Sequence, residues 1–175
     1  MRNRTKTIFL LVLFLVAVPV WARTLPDACG SDAIKFDVST PDGLTLPAGP
    51  AAGKARIIFV GDNNVMTSFI SYPTARYGID GAWVGANRHN SYFAVDVTPG
   101  LHHLCGNWQG TDSFDLAPLT AEPGKVYYFA VQVMMVDKVS VTFAFVQLND
   151  DQAKYRMKTT DTWKVATSKQ RQEQP

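Results

Sequence analysis

Ile79 to Cys105 reads IDGAWVGANRHNSYFAVDVTPGLHHLC, and the fold class follows from how this stretch alternates and turns. Asp80-Gly81 joins Tyr77-Gly78-Ile79 to Ala82-Trp83-Val84, because an Asp-Gly pair tolerates the positive φ angles that a two-residue hairpin turn requires. Gly85 and the polar run Asn87 to Asn90 follow. Ser91 to Val97 then alternates, with Phe93, Val95 and Val97 on one face and Tyr92, Ala94 and Asp96 on the other. Pro99-Gly100 suits the two central positions of a type II turn, in which Pro presets φ and Gly supplies φ above zero.

The same grammar extends in both directions. Ile34, Phe36 and Val38 alternate with Lys35, Asp37 and Ser39 as in a half-buried strand, and the Pro- and Gly-rich residues 40–53 form a loop. Ala55 to Val60, ARIIFV, is a continuous apolar run expected to be a central strand buried on both faces. Val65 to Tyr72 is a weaker strand pattern stopped by Pro73, and Gly106 to Asp112 reads as an irregular connection around Trp108. Phe114 to Thr120 is expected at a sheet edge, since Pro118 has no backbone donor. Glu122-Pro123-Gly124-Lys125 makes another turn before two long alternating runs, Val126 to Val136 and Val139 to Leu148, reversed at Asp137-Lys138. One helix is expected, Asp151 to Lys158, capped by Asn149 or Asp150. The polar residues from Ser168 to Pro175 are expected to be disordered. Strands divided by Gly and Pro turns, without crossover helices, predict an all-β fold: an immunoglobulin-like or related β-sandwich of seven to nine strands with one short C-terminal helix.

Arg2, Arg4 and Lys6 precede an apolar run of about a dozen residues, IFLLVLFLVAVPV, which ends near small Ala22. That is the form of a secretory signal peptide over residues 1–22, and the run falls short of the roughly 20 residues a membrane span needs. The domain reading is therefore a leader at 1–22, an N-terminal strand and loop at 23–53, a sandwich core at 54–158 and a tail at 159–175. Cleavage would remove three of the 17 basic residues and none of the 15 acidic ones, leaving 14 against 15. A nearly neutral chain carries no long-range field for nucleic acid, and no integral span is expected after processing. Export to the periplasm or cell exterior agrees with the two cysteines, Cys29 and Cys105, which an oxidising compartment would join, pinning the N-terminal segment to the sheet.

Chemistry has little purchase on this sequence. His89, His103 and Cys105 form an alternative zinc or copper set, because imidazole and thiolate bind both metals. On an extended strand His103 and Cys105 share a side while His102 faces the other, and a Cys29–Cys105 bond would remove the sulfur. A hydrolase is the second alternative. No G-x-S-x-G elbow is present, and Asp62, Asp80, Asp96, Asp112 and Asp115 lie where turn formers lie. No P-loop or G-x-G-x-x-G entering a helix is present either, and no cofactor is expected. Tyr77, Trp83, Tyr92 and Trp108, near turns or on the face opposite Phe93, make a candidate binding surface for an envelope protein or small ligand. The competing reading packs these rings inside the sandwich.

Gly53-Lys54-Ala55, the D-G-x-x-V-G segment from Asp80 to Gly85, Tyr92-Phe93, the P-G-x-H segment from Pro99 to His102, and Gly124-Lys125 before Tyr127-Tyr128 follow one another in order. Over Lys54 to Leu148 the chain thereby resembles an uncharacterised bacterial family of exported or lipid-anchored β-sandwich domains. Pro123 stands where that pattern has a small residue, and the lipid-attachment cysteine of the anchored members is missing. The resemblance implies a β-sandwich in the cell envelope and carries no catalytic residues with it. Together these readings predict a non-catalytic binding or accessory module.

Overall fold

The computed structural model describes residues 25–46, 48–61, 74–135, 141–158 and 163–172. The leader at 1–22, the weak strand at 65–72 and the reversal at Asp137-Lys138 lie outside the described residues. Within them the chain forms β1 (Ile34–Ser39), β2 (Ala55–Val60), β3 (Ala75–Ile79), β4 (Ala82–Asn87), β5 (Ser91–Val97), β6 (Gly100–Trp108), β7 (Phe114–Ala121), β8 (Val126–Met135), β9 (Val141–Leu148), α1 (Asp150–Lys158), β10 (Lys164–Val165) and β11 (Thr167–Gln172).

All six residues of β2 are buried, as expected of its apolar run, and β2 is the middle strand of a five-stranded sheet ordered β10-β5-β2-β8-β9. It pairs antiparallel with β5 and parallel with β8. The second sheet is antiparallel and ordered β4-β3-β6-β7, with β7 at an edge as Pro118 required. Asp80 (φ 50°) and Gly81 (φ 86°) both take positive φ at the β3–β4 hairpin, the conformation the Asp-Gly pair was chosen to permit.

Alternation sorts the side chains into layers. Ile57 and Phe59 of β2, Phe93 of β5, Phe129 of β8 and Phe145 of β9 face Tyr77 of β3 and Leu104 of β6 in one core between the sheets. The Phe59 and Tyr77 rings stack at 4.5 Å between centroids, locking the sheets face to face. Each such ring contributes about 1.5–3 kcal/mol by leaving water. The opposite parity of the five-stranded sheet, Ile58, Val60, Ala130 and Leu148, is covered by Ala153 of α1 with Met157, Trp163 and Leu46. Asn149 caps α1: its Oδ1 accepts Gln152 N–H at 2.8 Å while Gln152 Oε1 accepts Asn149 N–H at 3.0 Å.

Two expectations need correction. Among the described residues there are eleven strands rather than seven to nine, because the tail is ordered as far as Gln172: β11 pairs with β1 through six positions, from Ile34↔Gln172 to Ser39↔Thr167, and β10 joins β5. A strand held by a partner far away in sequence needs no apolar face of its own. β6 continues through Trp108 where an irregular connection was expected, since its register with β3 and β7 persists to Ala75↔Trp108 and Asn107↔Phe114. The Pro99-Gly100 turn carries the chain from one sheet to the other.

Candidate functional site

The outer face of the four-stranded sheet is only half covered. The β1–β11 ribbon packs over β4, and Phe36 joins Trp83, Ala86, Cys29 and Cys105 in a second small core. Cys29 and Cys105 are bonded to each other with Cα atoms 5.1 Å apart, which fixes the N-terminal segment to β6 as the cysteine reading expected. Beside them, Arg76 of β3 is completely buried. Its guanidinium donates to Asn107 Oδ1 at 2.5 Å, to the Ile34 carbonyl at 2.6 Å and to the Asp32 carboxylate, and it lies 4.4 Å from the centre of the Trp83 ring. A planar fork can serve all these partners at once, whereas an ammonium cannot.

Between this clasp and β7 runs a groove of about 600 Å³, lined by Leu25, Asp32 and Lys35 on one side and by Gly110, Thr111, Asp112 and Phe114 on the other. The hydrogen bond from Arg76 holds the Asp32 carboxyl below the usual aspartate range; burial opposes this, and the charges of Arg76 and Lys35 add to the lowering. Asp32 is therefore a fixed anion at neutral pH, while its side chain remains 57% exposed. Phe114 of β7 in the groove wall is 41% exposed, and along the same two strands Leu116 of β7 and Leu101 of β6 are 43% and 60% exposed. These three rise from the part of the sheet that β1 and β11 leave bare. The groove can hold an apolar group against Phe114 with a polar group presented to Asp32.

The residues named from the sequence are distributed differently. Tyr77 is buried with its hydroxyl donating to Asn87 Oδ1 at 3.0 Å, and Trp83 is buried with its Nε1–H donating to the Ser31 carbonyl at 2.8 Å. Tyr92 packs half-buried on the α1 side and Trp108 half-buried against the inter-sheet core. The four rings therefore do not share a surface, and Tyr77 and Trp83 serve the interior. Cys105 Sγ is committed to Cys29, His103 is exposed on β6, and His89 is exposed with φ 47°. Among the described residues no group of three His, Cys, Asp or Glu side chains is arranged to hold a metal ion. His102 is buried, with Nδ1 2.6 Å from Asp80 Oδ2 and Nε2 2.7 Å from the Thr98 carbonyl.

Sequence reasoning missed Asp32, Lys35, Arg76 and Phe114. Only Arg76 left a local trace: a charged residue inside the strand pattern ARYGI must be either exposed or fully paired. The chain matches no protein-family model, no curated protein and no solved structure. The resemblance drawn from Lys54 to Leu148 stands on its motifs alone.

Proposed function

We propose that this protein is an exported, non-catalytic β-sandwich module of the cell envelope that binds a protein or small ligand in the groove beside the N-terminal clasp. The observation that carries the reading is the juxtaposition of a fixed carboxylate, Asp32, with an exposed ring, Phe114, in the wall of one groove. Binding sites combine apolar contact area with a few oriented polar groups in this way. Rigidity supports it as well. Asp32 is held by a buried arginine and lies three residues from a disulfide, so little ordering would be lost on association. Export is supported by the leader pattern at 1–22 and by the bonded cysteines.

The test is site-specific photocrosslinking in the envelope with the full chain. A photoreactive residue replaces Phe114 in one variant and Tyr155, exposed on α1 across the molecule, in another. A discrete product from position 114 that is missing from position 155 and is weakened by Asp112→Lys is expected. Equal labelling from both positions, or none from position 114, overturns the reading.

A further inference from the structure

We propose that His102 is a pH-sensitive latch between the two sheets: its doubly protonated ring ties the β3–β4 turn to the β5–β6 crossover, and neutralising the ring releases one tie. The two ring nitrogens lie 2.6 Å from a carboxylate oxygen of Asp80 and 2.7 Å from the carbonyl oxygen of Thr98. Both partners can only accept, so both nitrogens must carry hydrogen for both contacts to hold. A neutral imidazole has one N–H and turns a lone pair toward the other oxygen. With the residue 8% exposed, water has little access to make up the loss.

Each partner is itself fixed. Asp80 sits in the left-handed region at the hairpin, its Oδ1 accepts His103 N–H at 2.8 Å, and its own N–H donates to the His103 carbonyl at 2.9 Å. Thr98 directly follows β5 of the five-stranded sheet and precedes Pro99, where the chain passes to the other sheet. The charged groups around the ring are few. Asp80 faces it from the hairpin, and the exposed His103 ring approaches Asp80 from outside, with Nδ1 4.0 Å from Oδ1. Thr98-Pro99-Gly100 carries no charge, and the cross-strand partner on β7 is Leu119.

Burial acts to lower the His102 pKa, but the Thr98 carbonyl and the hydrogen bond and charge of Asp80 outweigh it, raising the value above 6.5. Burial likewise acts to raise Asp80, and the bonds from His103 and His102 overcome it, lowering the value below 3.8. The latch is therefore closed between the lowered aspartate value and the raised histidine value. It opens as pH climbs through the raised histidine value, and on the acid side only below the lowered aspartate value. The latch stands apart from the groove reading and survives its failure.

Long-range 1H–15N correlation spectra of the histidine rings, recorded on the oxidised full chain from pH 5 to 9, test it. At pH 6 both His102 nitrogens should be protonated and at pH 9 only one. Amide protection at Asp80, Gly81 and Leu101 to His103, corrected for intrinsic exchange, should drop roughly tenfold over the same transition, the equivalent of losing one hydrogen bond to a charged group. His102→Gln, which can still donate to one oxygen, should remove the pH dependence between 6 and 9. A bare His102 nitrogen at pH 6, or protection unchanged while the ring loses its proton, overturns the latch. If His102→Gln does not fold, the wild-type ring spectra and exchange decide the matter alone.

Discussion

Arg76 shows how a single residue can hold together parts of a chain that share no strand. Its partners come from residues 32 and 34 before the sandwich, from Trp83 on β4 and from Asn107, its cross-strand neighbour on β6. A buried cation is costly unless every donor is used. Arg76→Lys keeps the charge but loses the fork and the flat contact with Trp83, orphaning the Asn107 oxygen or the Ile34 carbonyl. Stability should fall by about 2–4 kcal/mol, read as a lower urea midpoint at constant slope. A change under about 0.5 kcal/mol, the range of ordinary surface substitutions, would mean the guanidinium only fills space. The same contact sets an acid response. Because the Asp32 pKa is lowered by the bond from Arg76, its contribution is present above 3.8 and is lost as pH falls through the lowered value. Between about pH 4 and 2 the wild-type urea midpoint should drop more steeply than that of Asp32→Asn. Parallel curves would show that Asp32 titrates alike in the folded and unfolded chains.

At the scale of strands, side chains occupy the sheet edges. The Asp115 carboxylate of β7 accepts Leu116 N–H at 2.9 Å with one oxygen and, with the other, Phe145 N–H of β9 at 2.8 Å. Further along β7, Pro118 has no N–H, and the Tyr127 hydroxyl bridges the Thr120 carbonyl and Glu122 N–H. On the far edge, Ser168 Oγ takes Ala86 N–H at 3.1 Å and Gln170 Nε2 donates to the Trp83 carbonyl at 3.2 Å. Side chains thus occupy groups that an incoming strand would need. Asp115→Ala strips two backbone donors of their partner and should cost about 1–3 kcal/mol. It should also bring concentration-dependent association, visible by light scattering of the eluting protein; a variant that stays as stable and as monodisperse as wild type would remove Asp115 from this role. What could be read in advance divides along the same line. β2, β5, β8 and the hairpin at Asp80-Gly81 were legible because apolar alternation and turn chemistry are local. β11 was not, since Thr167–Gln172 has no apolar face and owes its order to β1, more than 120 residues earlier in the register Ser39↔Thr167. Asp32 and Phe114 were equally silent, because a groove arises from two segments meeting and neither segment carries a motif.

For the molecule as a whole, the N-terminal segment is attached by three ties of different kinds: the bond between Cys29 and Cys105, the Arg76 clasp on residues 32 and 34, and the pairing of β1 with β11. The disulfide acts mainly on the unfolded chain, where it closes a span of 76 residues, and such a constraint contributes about 2–4 kcal/mol. The clasp acts on the folded state. If the two merely added, removing both would cost the sum of the single losses. They hold the same short stretch, however, and once the disulfide is gone residues 25 to 31 can peel from β4 and let water reach the guanidinium, so that what remains of the clasp is worth less. A cycle of wild type, the double Cys29→Ala/Cys105→Ala variant, Arg76→Lys and their combination, each unfolded in urea, should give a combined loss smaller than the sum by about 0.5–3 kcal/mol. The cysteine-free protein should still fold, because the inter-sheet core around Phe59 and Tyr77 includes neither sulfur. Strict additivity would mean that the clasp and the disulfide stabilise separate units, and the groove wall at Leu25, Asp32 and Lys35 would then keep its shape on reduction. Coupling means instead that reducing the protein loosens that wall, so groove crosslinking from position 114 should weaken in the cysteine-free variant while the fold persists.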